Sequence, residues 1–530
     1  MAAAILVIAF ASAVLGTAQT DDGGGQVSHA APSNAAKGSI HQDNATASAS
    51  TRVVEASEIA AKMQSGEPVD YNNVTIAGDL YPSKPAGPIK QVVKITNSTI
   101  LGGVDLSDVI FQELLDLRHT KFEGDVSFAN AQFLGDAGFD GASFAKDVDF
   151  KFMRSDGLSS FVGTGFHRDA SFRYARFNSP VTFGAARFDG DVSFANSQFG
   201  GEAYLFGTRF AKDADFQFVQ FSKLTTFMGS WFSRDLDLTN SQFGGQANFM
   251  SCQFQGNASF AAARFTSDVI FRDARFPSNV TFGLANFGGI SDFSGVDFAM
   301  PVFFGGARFA DNAYFKDAHF GGDLVLESAR IYAMQLDNAS FGRASKIVLK
   351  DADFTKFVVK WSIIKDRLEF NGAAYLSLVK NYKNLEWFDD ADDCYFQYRW
   401  ISQTQEGWSW TKVVDIISWL SCGYGVRVSY VIFWCLFTIL IFGHIFWAGN
   451  GMRRFEHLGL EVPGTGEGVQ EQRVSLVDSV YFSVAMFTTS QAPVNYYPVG
   501  LYRHLAMIEG ILGWFFLGLF VVVLSGMLIR

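Results

Sequence analysis

The chain has 530 residues, a formal charge of -11 and 56 phenylalanines. This acidity argues against a nucleic-acid-binding surface, and the four cysteines, Cys252, Cys394, Cys422 and Cys435, have no metal-ligand spacing and imply neither a disulfide framework nor a metal site. No nucleophile–base spacing or phosphate loop stands out, so an enzyme is the weakest class, and no cofactor is implied.

Residues 2–16 form an apolar run followed by Thr17-Ala18-Gln19, with Gly16 and Ala18 placed as a small-residue cleavage site. Residues 1–18 therefore read as a secretory signal peptide. Residues 19–72 read as a linker with a short helix, its first part rich in Gly, Ala, Ser, Asp and Asn. Export would leave sequons at Asn44, Asn73, Asn97, Asn257, Asn279 and Asn338 open to glycosylation.

From there a phenylalanine rhythm takes over. Phe122, Phe128, Phe133, Phe139, Phe144 and Phe150 alternate steps of six and five, and Phe161 to Phe199 continue the rhythm. A fixed internal period marks a repeat architecture. The residue two before each Phe is small or apolar, as Val126, Ala131, Ala142, Ala186 and Ala274 show, and the one between is mostly polar. Positions i and i+2 of a strand share a face. Each unit is then a very short strand with a small and a large residue inward and a turn after the Phe, as in Phe188-Asp189-Gly190-Asp191. Four units make about 22 residues, one coil of a parallel β-solenoid. The pattern extends back to Ile95 and on to Phe354, roughly 12 coils and about 55–60 Å of rod. Ser155 stands where a Phe is expected, and reads as a local irregularity.

These residues resemble the pentapeptide-repeat family, whose unit centres on Phe or Leu two after a small residue. The resemblance implies a right-handed quadrilateral parallel β-helix over residues 73–360, here with one residue inserted in alternate units. A three-sided helix with coils of similar length is the competing geometry; four large residues per 22 favour four sides. Some cytosolic members of the family mimic DNA, a role that export disfavours.

Residues 361–425 read as a helical connector and juxtamembrane helix. Tyr375, Leu378, Val379, Tyr382 and Leu385 have helical spacing. Asp389, Asp390, Asp392 and Asp393 are a possible acidic cation site or, more simply, a solvated helix start. Residues 408–420 suit an amphipathic helix with Trp408, Trp410 and Trp419 at a membrane interface.

Residues 426–530 read as a two-span transmembrane α domain, with spans at 426–448 and 505–529 and a shorter apolar helix at 475–489 between them. Asp478 to Ser483, leading into Phe487-Thr488-Thr489, resembles the pore helix of two-span channels of the potassium-channel superfamily. With the repeats, the 421–427 junction and Ile508-Glu509-Gly510, it resembles microbial pentapeptide-repeat proteins carrying an ion-channel domain. The filter departs from that pattern: Thr488-Thr489 leads into Ser490-Gln491-Ala492-Pro493, with no Gly-Tyr-Gly. Potassium selectivity is therefore not implied, and Thr488, Thr489, Ser490 and Gln491 are expected to line a wider, partly hydrated path. The Gly-Tyr-Gly at 423–425 precedes the first span and reads as a bend. Asp478 and Glu509 are expected to support the pore, Glu509 through Ser483 or Thr488 or by ion contact. Gly513 and Gly518 are candidate gating hinges or close-packing points.

Two spans cannot enclose a pore, so a homo-oligomer in the lipid bilayer is required, and the resemblance implies four subunits conducting monovalent cations. A cleaved signal peptide would put the rod outside, making this a multi-pass cell-membrane protein with an extracytoplasmic repeat domain. Arg453, Arg454, Arg473 and Arg503 between the spans agree. Two functions compete: a cation channel with a β-helical ectodomain, and a membrane-anchored structural or adhesive rod with a non-conducting pore-like domain.

Overall fold

The computed structural model describes residues 52–82, 87–454 and 474–528, with side chains to 526. The expected signal peptide, the linker up to residue 51, Asn44 and Arg473 lie outside the described residues. From Arg52 the chain winds into a parallel β-solenoid and ends in helices.

One coil shows the construction. Lys121–Phe122, Val126–Ser127, Gln132–Phe133 and Ala137–Gly138 are its four two-residue strands, and Ser143–Phe144 then lies in register on Lys121–Phe122. Four strands per coil give the rod four sides. One column holds 14 strands, so the rod has 14 coils and is about 65 Å long at one strand spacing per coil. The expectation of roughly 12 coils, and a start at residue 73, were too short. Arg52–Glu55 pairs with Val74–Ala77, and Val69–Asn72 pairs with Val93–Thr96. These first coils bury Val, Ile and Tyr in place of Phe, so the phenylalanine rhythm does not announce them.

The unequal steps build two kinds of corner. Each five-residue step passes through a left-handed residue, for example Asn130, Asn196 and Asn240 on one side and Gly141, Gly163 and Gly207 on the other. These types tolerate positive φ. Six-residue steps turn on aspartates that accept the backbone N–H one coil on: Asp147 from Asp169 at 3.2 Å, Asp169 from Asp191 at 2.9 Å. The inserted residue of the alternate units thus lies in a corner and leaves the strands in register. Towards the C-terminal end one corner straightens, and Arg308–Tyr314, Arg330–Gln335 and Asp353–Val358 run across two faces as single strands.

Phenylalanine fills the bore. Phe128, Phe150 and Phe172 stack along the axis at 5.0 and 4.8 Å, nearly parallel. Phe139 meets Phe150 edge-on at 5.6 Å and 87°. Such pairs contribute about 0.5–1.5 kcal/mol each beyond their buried area. At the irregular coil, Ser155 is fully buried and accepts a hydrogen bond from Ser159 at 2.7 Å while donating to the Gly157 carbonyl at 3.0 Å. Met153 is buried where the neighbouring coils have Ala131 and Ala175, so volume lost at one position returns two residues earlier.

Helices close both ends. Helix α1 (Ala56–Ser65) buries Ile59 and Met63. At the other end α2 (Trp361–Ile364), α3 (Gly372–Asn384) and α4 (Phe388–Gln405) cover the last coil. Asn381 of α3 accepts the Phe357 N–H at 2.9 Å and donates to the Phe357 carbonyl at 2.8 Å. The carboxamide thereby completes the pairing that a further strand would provide.

Candidate functional site

Beyond α4 come α5 (Trp410–Cys422), α6 (Val428–Ala448), α7 (Leu476–Thr489) and α8 (Tyr502–Leu528). Ser409 caps α5, and Trp408 and Trp410 are almost fully exposed. The 423–425 segment is a bend between α5 and α6, as expected. Gly423 ends α5 in the left-handed region, and Tyr424, also left-handed and buried, donates to Gln403 Oε1 at 2.6 Å.

The acidic quartet is drawn apart. Asp390 accepts from the Trp361 N–H at 3.1 Å and sits 3.3 Å from Lys360 Nζ. Asp393 pairs with Arg427 at 2.5 Å, tying the connector to the head of α6, and Asp392 is buried. Among the described residues no three His, Cys, Asp or Glu side chains converge as a metal site would require.

Helices α6 and α8 are each long and apolar enough to cross a membrane, and only 22% of the apolar window of each is buried within the chain. The remaining surface is fit for lipid or for other copies. Between them α7 starts in a capping box: Ser475 accepts from the Asp478 N–H, and the Asp478 carboxylate takes the Ser475 N–H. Asp478 also accepts from the Tyr496 hydroxyl at 2.9 Å. Tyr496 belongs to a short strand, Tyr496–Pro498, antiparallel to Met452–Arg454. Asp478 thus holds together the ends of the segment between α6 and α8.

Small residues let the three helices close up. A Cβ on Gly443 of α6 would meet Val480 of α7 at 3.0 Å, and one on Gly513 of α8 would stand 2.0 Å from the Phe487 carbonyl oxygen. Gly513 is a close-packing point, whereas Gly518 has nothing within 4 Å in the protomer. At the centre Ser483 of α7 bonds the Glu509 carboxyl and also donates to the Ile439 carbonyl of α6 at 2.7 Å. One side chain therefore links all three helices. Glu509 is completely buried, and its second oxygen has no hydrogen-bond partner.

Thr488, Thr489, Ser490 and Gln491 are all exposed at the C-terminal end of α7. Thr488 and Thr489 donate back to the Val484 and Ala485 carbonyls, both at 2.7 Å. Ser490 leaves the helix through a left-handed backbone and accepts from Trp514 Nε1 at 2.8 Å. Sequence reasoning offered Ser483 or Thr488 as the partner of Glu509, with ion contact as the other reading; the partner is Ser483. That reasoning missed Ile439, Gly443, Trp514 and the Arg427–Asp393 pair, because each joins residues far apart in the chain.

A family model of pentapeptide repeats matches residues 106–154, 161–209, 238–285, 249–297 and 282–330, with nine copies. These coils are pentapeptide repeats. No curated protein matches the chain, and no solved structure does. The matched segments lie between residues 106 and 330, inside the rod, and none reaches the helical segment.

Proposed function

We propose that the protein is an oligomeric membrane cation channel whose pentapeptide-repeat β-helix stands outside the membrane on the extracytoplasmic side. The observation that carries this reading is the Ser483 junction: a short apolar helix is fastened by one hydroxyl to both long apolar helices, with Thr488 to Gln491 exposed at its end. That is the layout of a re-entrant helix, and irregular backbone at membrane depth needs protein or water around it. The C-terminal end of α7 carries the negative end of the helix dipole, which favours cations beside it. Two spans per chain cannot enclose a path, so several copies surround it, four by resemblance to two-span channels. The alternative, a membrane-anchored rod that does not conduct, draws on the Thr488 and Thr489 hydroxyls, whose hydrogens are spent on their own helix.

Purified protein in planar bilayers under asymmetric salt distinguishes the two. Unitary currents selective for cations are expected; a folded oligomer that passes none overturns the channel reading. Labelling of an engineered surface cysteine in the rod from intact cells tests the side, and an unlabelled rod would place it in the cytosol.

A further inference from the structure

One corner of the rod carries residues that the fold alone does not call for. The left-handed position of the five-residue step is Gly at 141, 163, 207 and 229 on one side of the rod. In the opposite column it is Asn130, Phe152, Tyr174, Asn196, Phe218 and Asn240. Phe152, Tyr174 and Phe218 adopt φ of 57°, 60° and 57°, a conformation disfavoured for bulky side chains. Their side chains stay about half exposed, at 57%, 43% and 50%. Backbone strain kept for side chains that remain half exposed on the surface is a pointer to function.

Beside this column runs an outward stripe one coil apart and in register: Arg154, Arg176, Gln198, Gln220 and Gln242. Arg154 is engaged with Asp156 at 2.9 Å. Among the described residues, the side chains of Arg176, Gln198, Gln220 and Gln242 make no hydrogen bond. Together the columns line an open groove of about 710 Å³ that runs over six coils, about 24 Å along the rod. Phe152 and Tyr174 stack on each other at 4.9 Å. Phe218 stands alone between Asn196 and Asn240.

We propose that this groove binds a neutral linear polysaccharide lying along the rod axis. Each coil offers a planar amide or guanidinium with free donors, and the amides add free acceptors, the chemistry that reads paired hydroxyl groups. Rings and their edges supply apolar surface for the C–H faces of pyranose units. The repeat of one strand spacing is close to the length of one sugar unit, so successive coils meet successive sugars. An acidic chain suits the groove less well, because one of its two arginines is already neutralised by Asp156. The proposal is independent of whether the membrane domain conducts.

The test uses the full chain in lipid nanodiscs, which avoids sugar-headed detergents. Binding of cellohexaose, chitohexaose and mannohexaose is measured by calorimetry on wild type and on the triple variant Phe152→Asn, Tyr174→Asn, Phe218→Asn. Asn130, Asn196 and Asn240 already hold this backbone in the same column, so the variant is expected to fold with an unchanged or higher melting temperature. At least one hexaose is expected to bind wild type and to bind the variant at least tenfold more weakly. No binding to wild type by any of the three overturns the proposal, and so does equal binding by the variant. Concentration-dependent pairing of wild-type rods that the variant abolishes, without sugar binding, would overturn it as well and make the face a contact between copies.

Discussion

Asn381 and Phe357 form a two-way hydrogen-bonded pair, side-chain amide to main-chain peptide, at 2.9 and 2.8 Å where the rod stops. A solenoid's last strand presents unpaired N–H and C=O groups that template aggregation. Here one carboxamide from α3 satisfies both groups of the buried Phe357 peptide.

Asn381→Ala leaves those two buried groups without partners, at a cost of about 1–3 kcal/mol for each. Amide exchange over residues 353–358 is expected to accelerate while the middle coils stay protected. Uniform exchange across the rod would show that the cap carries no local stability.

Ser155, Met153 and Ser159 compensate one another in the bore. Ser155→Phe alone overpacks the bore against Met153, by about 1–3 kcal/mol. Adding Met153→Ala and Ser159→Ala gives the coil the inward residue types of its neighbours and is expected to recover that loss, with a coupling of about 1–3 kcal/mol in the mutant cycle. Additive denaturant midpoints would refute the compensation.

Cys252 is wholly buried, and burial pushes its thiol up to about 12 from an ordinary 9.0. The folded value is raised, so the stabilisation is intact below about pH 9 and falls away as pH climbs towards 12. At pH 10.5 the unfolded thiol ionises and the folded one stays neutral, which costs wild type about 2 kcal/mol. Cys252→Ser, with the residue type of Ser230 one coil earlier, should lack that loss. Parallel pH dependence of the two proteins in chemical denaturation would disprove it.

Among the C-terminal apolar helices, Gly513→Val places side-chain atoms against the Phe487 carbonyl, where even a Cβ would be 2.0 Å away. The variant is expected to lose the α7–α8 contact and its folded yield, whereas Gly518→Ala, with open space around it, should leave the protomer intact. Size exclusion and cysteine cross-linking between α7 and α8 compare them; equal yields would remove the packing role of Gly513.

Ser483 has one hydroxyl hydrogen and two acceptors before it, Ile439 O and the Glu509 carboxyl. Both bonds exist together when the carboxyl carries its proton. Glu509→Gln keeps a donor there and is expected to retain assembly. Glu509→Ala and Ser483→Ala should each weaken the three-helix junction by about 1–3 kcal/mol. Loss of assembly in Glu509→Gln, read by native gel in lipid, would contradict this account.

Much of this protein is legible one coil at a time. Phe122, Phe128, Phe133 and Phe139 specify side, coil length and stacking because each repeat touches only its neighbours, and a local period then becomes a global shape. The two apolar helices follow from length and composition in the same way. The bend at 423–425 was visible as a local pattern too. Other features could not be read this way. The first coils at Arg52 lack the phenylalanine signal, and only strand pairing reveals them. Asn381 on Phe357, Arg427 on Asp393 and Ser483 on Ile439 join residues 24, 34 and 44 positions apart. No periodicity links such partners; helix packing brings them together. The sequence by itself determined the rod and the presence of two apolar helices, since both come from repeating or continuous local hydrophobic pattern. Tertiary structure alone decided how the rod is closed, how the acidic residues are shared out and which hydroxyl ties the three helices, because each depends on the angle at which non-repeating helices meet.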